Sequence, residues 1–278
     1  MKILIISNDL LGAYIQNYFN NENTVFVFEN KTNILFDRPI LSDYIKSINP
    51  DVVINNFEFN NIDQCEIHES KAMNYNSISA MNIAYVCNNL SIPIVYISTN
   101  HVYGNKNGQP YFETDKCNPI NTYGKSKLAG ERLIKTLTNK YFIIRPGWIF
   151  GNDNDLIDNI IKNKYRNVFM CSNEIGNPTY ALDLCITIDK AIHSDFYGTY
   201  NCCNPYPIKK CLWVKFIMNE LNINKDIIEI PSNYVPNSAP RQTYSALNTV
   251  LIQNCFNFIP ENWEKRTVQA INILNKNC

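Results

Sequence analysis

The chain has 278 residues, enough for one large domain or two closely joined ones around a substantial core. Its 25 lysines and arginines balance 25 aspartates and glutamates, so no overall field draws it to nucleic acid or an anionic membrane; a small polar ligand fits better. The opening apolar run, "MKILIIS", is too short for a secretory signal and no later run reaches membrane-spanning length, so a cytoplasmic protein without membrane attachment is expected. The ten cysteines contain no C-x-x-C and read as reduced thiols, and the histidines are not at metal-ligand spacing.

Short β-rich runs alternate with helical periodicity. The pattern predicts strands over 2–7, 24–28, 51–55, 92–98 and 141–145, separated by helices over 10–20, 39–48, 66–89 and 123–139. Such alternation implies an α/β fold with a parallel, doubly wound sheet. Prolines in "INPD" and "SIPI" agree, because each stands just before a predicted strand, where a helix has already ended. After about residue 146, loops such as "RPGWIFGNDND" and "PSNYVPNSAPRQ" separate shorter elements. The expected division is a dinucleotide-binding domain over 1–150 and a substrate-binding lobe over 151–278, with a part near 177–203 returning to the first domain.

The turn from the first strand into the first helix is where a dinucleotide-binding fold keeps its G-x-G-x-x-G loop. The six positions hold Ser7, Asn8, Asp9, Leu10, Leu11 and Gly12, so only the third glycine, which lets helix pack on strand, survives. Ser7 is a mild change, since its hydroxyl can donate to a phosphate. Asp9 is harsher: like charges at about 5 Å and an effective dielectric of roughly 20 cost about 3 kcal/mol. Turned into solvent as an N-cap on the amides of residue 11 or 12, the carboxylate costs far less. Glu29, about 20 residues beyond the loop, stands where an acidic residue binds the adenosine ribose of NAD. Lys31 and Arg38 are near enough to serve a 2′-phosphate instead, and the sequence does not choose between NADH and NADPH. The candidate cofactor contacts are Ser7, Asp9, Leu11, Gly12, Glu29 and Lys127.

In "NTYGKSK", Tyr123 and Lys127 are four apart at the start of a helix and share a face. An ammonium there favours the phenolate and is expected to lower the tyrosine pKa from about 10. A second Tyr-x-x-x-Lys, Tyr206 to Lys210, has no preceding strand and runs into Pro207. Before Tyr123, by contrast, "IPIVYISTNHVYG" ends a strand in Ser98 and Thr99, whose hydroxyls are expected to face the ligand crevice. Thr99 and Tyr123 can then polarise one carbonyl oxygen and protonate it as hydride reaches its carbon.

The blocks "STNHVYG", "NTYGKSK", "IIRPGWIFG", "GNPTYALDL" and "APRQTYSALNT", in that order across nearly the whole chain, resemble the landmarks of extended short-chain dehydrogenase/reductases. Among these the sequence is most similar to the dTDP-4-dehydrorhamnose reductase family. The resemblance implies a Rossmann-like fold and an NADPH- or NADH-dependent reductase of a nucleotide-activated 4-keto-6-deoxy sugar, acting in deoxysugar biosynthesis. It assigns catalysis to Thr99, Tyr123 and Lys127, the lysine also holding the nicotinamide ribose, and substrate contacts to Asn76, Ser98, Trp148 and Arg241, the arginine on the diphosphate. Pro178 and Thr179 would shape the substrate loop, and Asp183 would be helix-start structure. A homodimer through the 66–89 and 123–139 helices is a further family expectation.

Two positions depart from the relatives. Asn100 and His101 stand where nucleotide-sugar dehydratases carry an acidic pair, which argues against elimination. The reductases usually have aspartate at the first position, and His101 is either an acid or a bystander. Two rival readings stay open. One is a catalytically quiet binding or regulatory subunit of the same fold, such as the regulatory β-subunit of methionine adenosyltransferase; the other is a nucleotide-sugar epimerase.

Overall fold

The computed structural model of the chain describes residues 1–29, 33–105, 108–152, 155–162, 168–171, 173–230 and 239–276. Ile3, Leu4, Ile5 and Ile6 are all fully buried, so β1 (Lys2–Ser7) has no solvent face and must lie inside a sheet covered on both sides. After it come α1 (Leu10–Phe19), β2 (Thr24–Glu29), α2 (Arg38–Ile48) and β3 (Val52–Asn56). Three short helices follow, α3 (Ile62–Ile67), α4 (Glu69–Met73) and α5 (Ser79–Asn89), then β4 (Ile94–Ile97), α6 (Thr122–Leu137) and β5 (Tyr141–Pro146).

The elements then shorten: β6 (Trp148–Phe150), α7 (Leu156–Lys162), β7 (Val168–Cys171), β8 (Ile175–Gly176) and β9 (Pro178–Tyr180). The chain continues through α8 (Ala181–Ile192), β10 (Gly198–Cys202), β11 (Ile208–Lys209) and α9 (Lys210–Glu220). It ends with β12 (Ile227–Ile230), α10 (Val250–Phe256) and α11 (Trp263–Lys276).

Six strands form one parallel sheet in the order β10-β5-β4-β3-β1-β2. Because β2 and β3 flank β1 on opposite sides, the strand order reverses there, and the crevice beyond the carboxyl ends of β1 and β3 is where such sheets bind ligands. The register sets Ser7 beside both Glu29 and Asn56 at that edge. One face of the sheet, with Ile5, Ile54, Val95 and Ile144, packs on α1 and α8 through Leu11, Ile15, Leu184 and Ile188. The other, with Leu4, Val53, Tyr96 and Ile143, packs on α2, α5 and α6 through Leu41, Ile45, Ile83 and Ile134. A separate core around Phe150, Trp213, Ile217 and Trp263 belongs to the later elements. Asp183, at the start of α8, ties them back: it pairs with Arg266 of α11 and accepts from Asn204 at 2.6 Å.

The helix expected over 66–89 is not continuous. Asn61 caps an earlier start by accepting from the Gln64 amide at 3.0 Å, and His68 leaves helical geometry at φ −121°, ψ 58°. Between α4 and α5, residues Asn74–Ile78 form a π turn, where the Ser77 and Ser79 hydroxyls donate to the carbonyls of Met73 and Tyr75. Serine back-bonding of this kind bends helices, and it is invisible to a count of apolar spacing. The eight cysteines whose side chains are described are unpaired and mostly buried.

A buried ion pair fastens the sheet to α6. Arg145 of β5 donates to both carboxylate oxygens of Glu131, at 2.9 and 2.6 Å, and to the Tyr103 hydroxyl at 2.7 Å. Removing one partner strands a charge in the interior, so Glu131→Ala should lower unfolding stability by about 3–5 kcal/mol. Urea denaturation measures this; a loss under about 1 kcal/mol would mean that Arg145 reaches solvent despite its burial.

Candidate active site

The crevice begins where β1 meets α1. Any side chain at Gly12 would place its Cβ 2.0 Å from Ser7 Oγ, so this glycine alone lets the helix start against the strand. Asp9 is the N-cap: its carboxylate accepts from the Gly12 amide at 3.1 Å, as expected. It is not turned into solvent, however. Asn56 Nδ2 donates to it at 2.6 Å, the Ser7 hydroxyl at 3.2 Å and Asn60 Nδ2 at 3.4 Å. Burial and then the charge of Glu58 push its pKa up against those hydrogen bonds.

The remaining expected cofactor contacts fare differently. The Ser7 hydroxyl is engaged by Asp9 instead of lying open to a phosphate. The Leu11 side chain lies in the core beneath the sheet, which leaves only its backbone for a ligand. The Glu29 side chain and Lys31 lie outside the described residues. Arg38 donates to Asn82 Oδ1 at 2.8 Å and stacks 4.5 Å over the Tyr85 ring, so it is held by its own helix layer.

Helix α6 presents Tyr123 and Lys127 on one face, as their spacing predicts. Both meet a residue the sequence did not single out. Tyr123 donates its hydroxyl hydrogen to Glu58 Oε2 at 3.0 Å, and Lys127 Nζ sits 2.9 Å from the same oxygen. The ammonium also donates to the Ile97 carbonyl at 2.6 Å and lies 4.3 Å above the Tyr96 ring. Burial opposes the charge on Lys127, but Glu58 and Tyr96 outweigh it and raise its pKa.

The expected lowering of the Tyr123 pKa is therefore reversed. Burial first, and then the charge and hydrogen bond of Glu58, hold the phenol well above its ordinary value, while a hydrogen bond with Thr99 pulls the other way. Lys127 has a carboxylate to neutralise, and a phenol that donates to a carboxylate keeps its proton. Thr99 is buried beside it and accepts from the His101 amide at 3.2 Å.

Two expected substrate contacts point elsewhere. Asn76 is fully buried and uses all its polar atoms internally: Oδ1 accepts from the Phe59 amide at 2.7 Å, and Nδ2 donates to the Phe59 carbonyl and to Ser126 Oγ. It anchors the loop after β3 that carries Glu58. Ser98 does not open onto the crevice; its hydroxyl donates to Glu131 at 2.6 Å, drawn by a carboxylate already bound to Arg145.

Trp148 and Arg241 do come together, in one small cavity that His101, Glu174, Lys210 and Gln242 also line. Trp148 stacks on Trp213 with centroids 6.1 Å apart, and Lys210 Nζ lies 5.1 Å from its ring and 3.0 Å from Glu174. Arg241 spends one edge of its guanidinium on Asp63, at 2.9 Å, and on the Ala239 carbonyl. Lys210 belongs to the tyrosine–lysine pair that the sequence set aside. Its partner Tyr206 is exposed, but the lysine itself lines the cavity, which no local spacing signals. For Glu58 the available signal was position: two residues beyond β3, at the reversal of strand order.

Comparison with known proteins identifies the family and the fold. The family model described as RmlD substrate binding domain matches residues 1–276. The spore coat polysaccharide biosynthesis protein SpsK of Bacillus subtilis is 32% identical over 222 residues, covering 78% of this chain and 77% of that protein. Among solved structures, a dTDP-4-dehydrorhamnose reductase from Clostridium acetobutylicum superposes with a TM-score of 0.93 at 27% identity, covering 99% of this chain and all of its own. The enzyme of the same name from Bacillus anthracis, in complex with NADP, gives 0.93 at 28% identity, covering 98% of this chain and 99% of its own. No described helix is long and apolar enough to cross a membrane. With the match running along virtually its whole length, the chain belongs to the RmlD substrate binding domain family.

Proposed function

We propose that the chain is an NAD(P)H-dependent reductase of a nucleotide-activated 4-keto-6-deoxy sugar, of the dTDP-4-dehydrorhamnose reductase kind, serving deoxysugar biosynthesis. The observation that carries this reading is the geometry of Tyr123, whose phenol shares one Glu58 oxygen with Lys127 beside the buried Thr99. Asn100 and His101 argue against elimination, because the pair following Thr99 lacks the two carboxyl groups that a dehydratase uses as acid and base.

The residues present fit a nicotinamide dinucleotide. Asn55 Nδ2 and Asn56 Oδ1, at the end of β3, are buried without a partner among the described residues, as suits a wall that takes a polar ligand. Lys127 and Tyr123 would hold the nicotinamide ribose, and Gly12 with the amides at the start of α1 the pyrophosphate. When bound, the cofactor supplies the hydride. Tyr123 gives its hydroxyl proton to the carbonyl oxygen, and Thr99 donates a second hydrogen bond to that oxygen. The nearby Lys127 ammonium offsets the charge left on the phenolate. Residues 151–278 and Arg241 would serve the nucleotide sugar, with Trp148 against the sugar and Arg241 on its diphosphate. Residues 1–150 would serve the cofactor.

A second reading, a quiet binding subunit, draws support from Asp9 and Glu58, which set two carboxylates along the proposed cofactor path. Two measurements separate the readings. Tyr123→Phe should lower turnover of NADPH with a dTDP-4-keto-6-deoxy sugar by roughly 10²–10⁴, with cofactor affinity within a few-fold. Tyr206→Phe should leave turnover unchanged, and equal effects of the two would remove the assignment.

Asp9→Gly should tighten cofactor binding by about 1–3 kcal/mol in calorimetry, since it removes a like charge from the pyrophosphate. Losing the cap should cost about 1 kcal/mol of folding stability. Wild-type protein that binds neither NADH nor NADPH at millimolar concentration, while Asp9→Gly binds, would favour the quiet subunit.

A further inference from the structure

The start of α6 determines the chemistry of His101. Asn121 Oδ1 accepts from the Gly124 amide at 2.8 Å, so its Nδ2 faces the other way. There it donates to the Pro240 carbonyl at 3.0 Å and reaches His101 Nδ1 at 3.1 Å. Swapping the two ends of the amide would set donor against donor and carbonyl against carbonyl, so this orientation is the satisfiable one. An amide nitrogen only donates. His101 Nδ1 is therefore the bare nitrogen, and the ring hydrogen is on Nε2.

The ring is also held from its backbone. Thr99 Oγ1 accepts from the His101 amide, and Gly124 lies so close that a Cβ there would be 2.1 Å from the His101 carbonyl oxygen. Nε2 has no acceptor among the described residues, although His101 lines the cavity with Trp148, Lys210 and Arg241 and stands edge-on to Tyr123, centroids 5.7 Å apart.

We propose that His101 is a specificity-determining residue, whose Nε2–H, kept as a constant neutral donor by Asn121, bonds a sugar oxygen next to the carbon that Tyr123 serves. This rests on reading the cavity as the nucleotide-sugar site. The surrounding charges favour a neutral ring. Burial, then Lys210 and Arg241, push the His101 pKa down to about 3. The facing carboxylates are each taken by a cation, Glu174 by Lys210 and Asp63 by Arg241. Protonating Nδ1 would also expel the Asn121 amide. His101 is thus a fixed donor and not a proton shuttle.

Nitrogen-15 NMR of the histidines tests the tautomer: His101 should show protonated Nε2 and bare Nδ1 from pH 8 to pH 5, and a ring titrating near the ordinary value of about 6.5 would overturn the proposal. Calorimetry with dTDP-rhamnose and with dTDP tests the contact. His101→Phe should weaken dTDP-rhamnose about tenfold and dTDP less than about twofold, and His101→Gln, which keeps an N–H donor, should recover part of the loss. Equal loss for both ligands, or none for either, would overturn it. Wild-type protein that binds neither ligand would instead sink the nucleotide-sugar reading, and this inference with it.

Discussion

One oxygen, Oε2 of Glu58, holds the two groups on which the proposed chemistry of this site depends. Lys127 is wholly buried, and an ammonium cut off from water needs a countercharge. Glu58 supplies it, and the same oxygen takes the Tyr123 hydrogen, so the phenol stays protonated. The contact also draws the loop after β3 across the crevice, where Asn8 grips the Glu58 backbone at both its amide and its carbonyl. A ligand that uses Lys127 must share or displace this carboxylate. Asp9 stands in the same field, and its neighbours Asn56, Asn60 and the Gly12 amide spread its charge over several donors.

The scaffold explains why such a cluster can be held in place. Parallel pairing brings the ends of β1, β3 and β4 to one edge, and each end turns into a loop tied from behind. Asn76, in the π turn, clamps Phe59 on both sides of its peptide unit. Ser98 and Arg145 meet on Glu131, which locks β4 and β5 to α6. Polar residues that look in the sequence like ligand contacts are thus spent on aiming the few side chains that do face the crevice.

Much of this was legible in the sequence. Buried strands such as Ile3–Ile6 and the helix carrying Tyr123 and Lys127 follow from local periodicity, and the resemblance that spans the chain pointed to Trp148 and Arg241, which share one cavity. What escaped shares one physical cause: it depends on partners far away in sequence. Glu58 is 65 residues from Tyr123, so treating the tyrosine–lysine pair in isolation gave the wrong sign for the phenol. The Ser98 hydroxyl was aimed at the crevice because the buried Glu131 could not be seen. Lys210 was set aside for its sequence neighbours, when its place is decided by Glu174 and Trp148. The earlier start at Asn61 came from a cap and the π turn over Asn74–Ile78 from two serine hydroxyls, neither of which apolar spacing registers.

On the proposed reading, Glu58 and the cofactor compete for Lys127. Calorimetric titration of NADPH into wild-type protein and Glu58→Gln tests it most directly, because the amide keeps the side-chain shape and removes the charge. Affinity for the variant should be higher by about tenfold, as both the competitor for the ammonium and a charge repelling the phosphates are gone. Equal or weaker binding by the variant would contradict it, and would mean that Lys127 is as available with the carboxylate in place as without it.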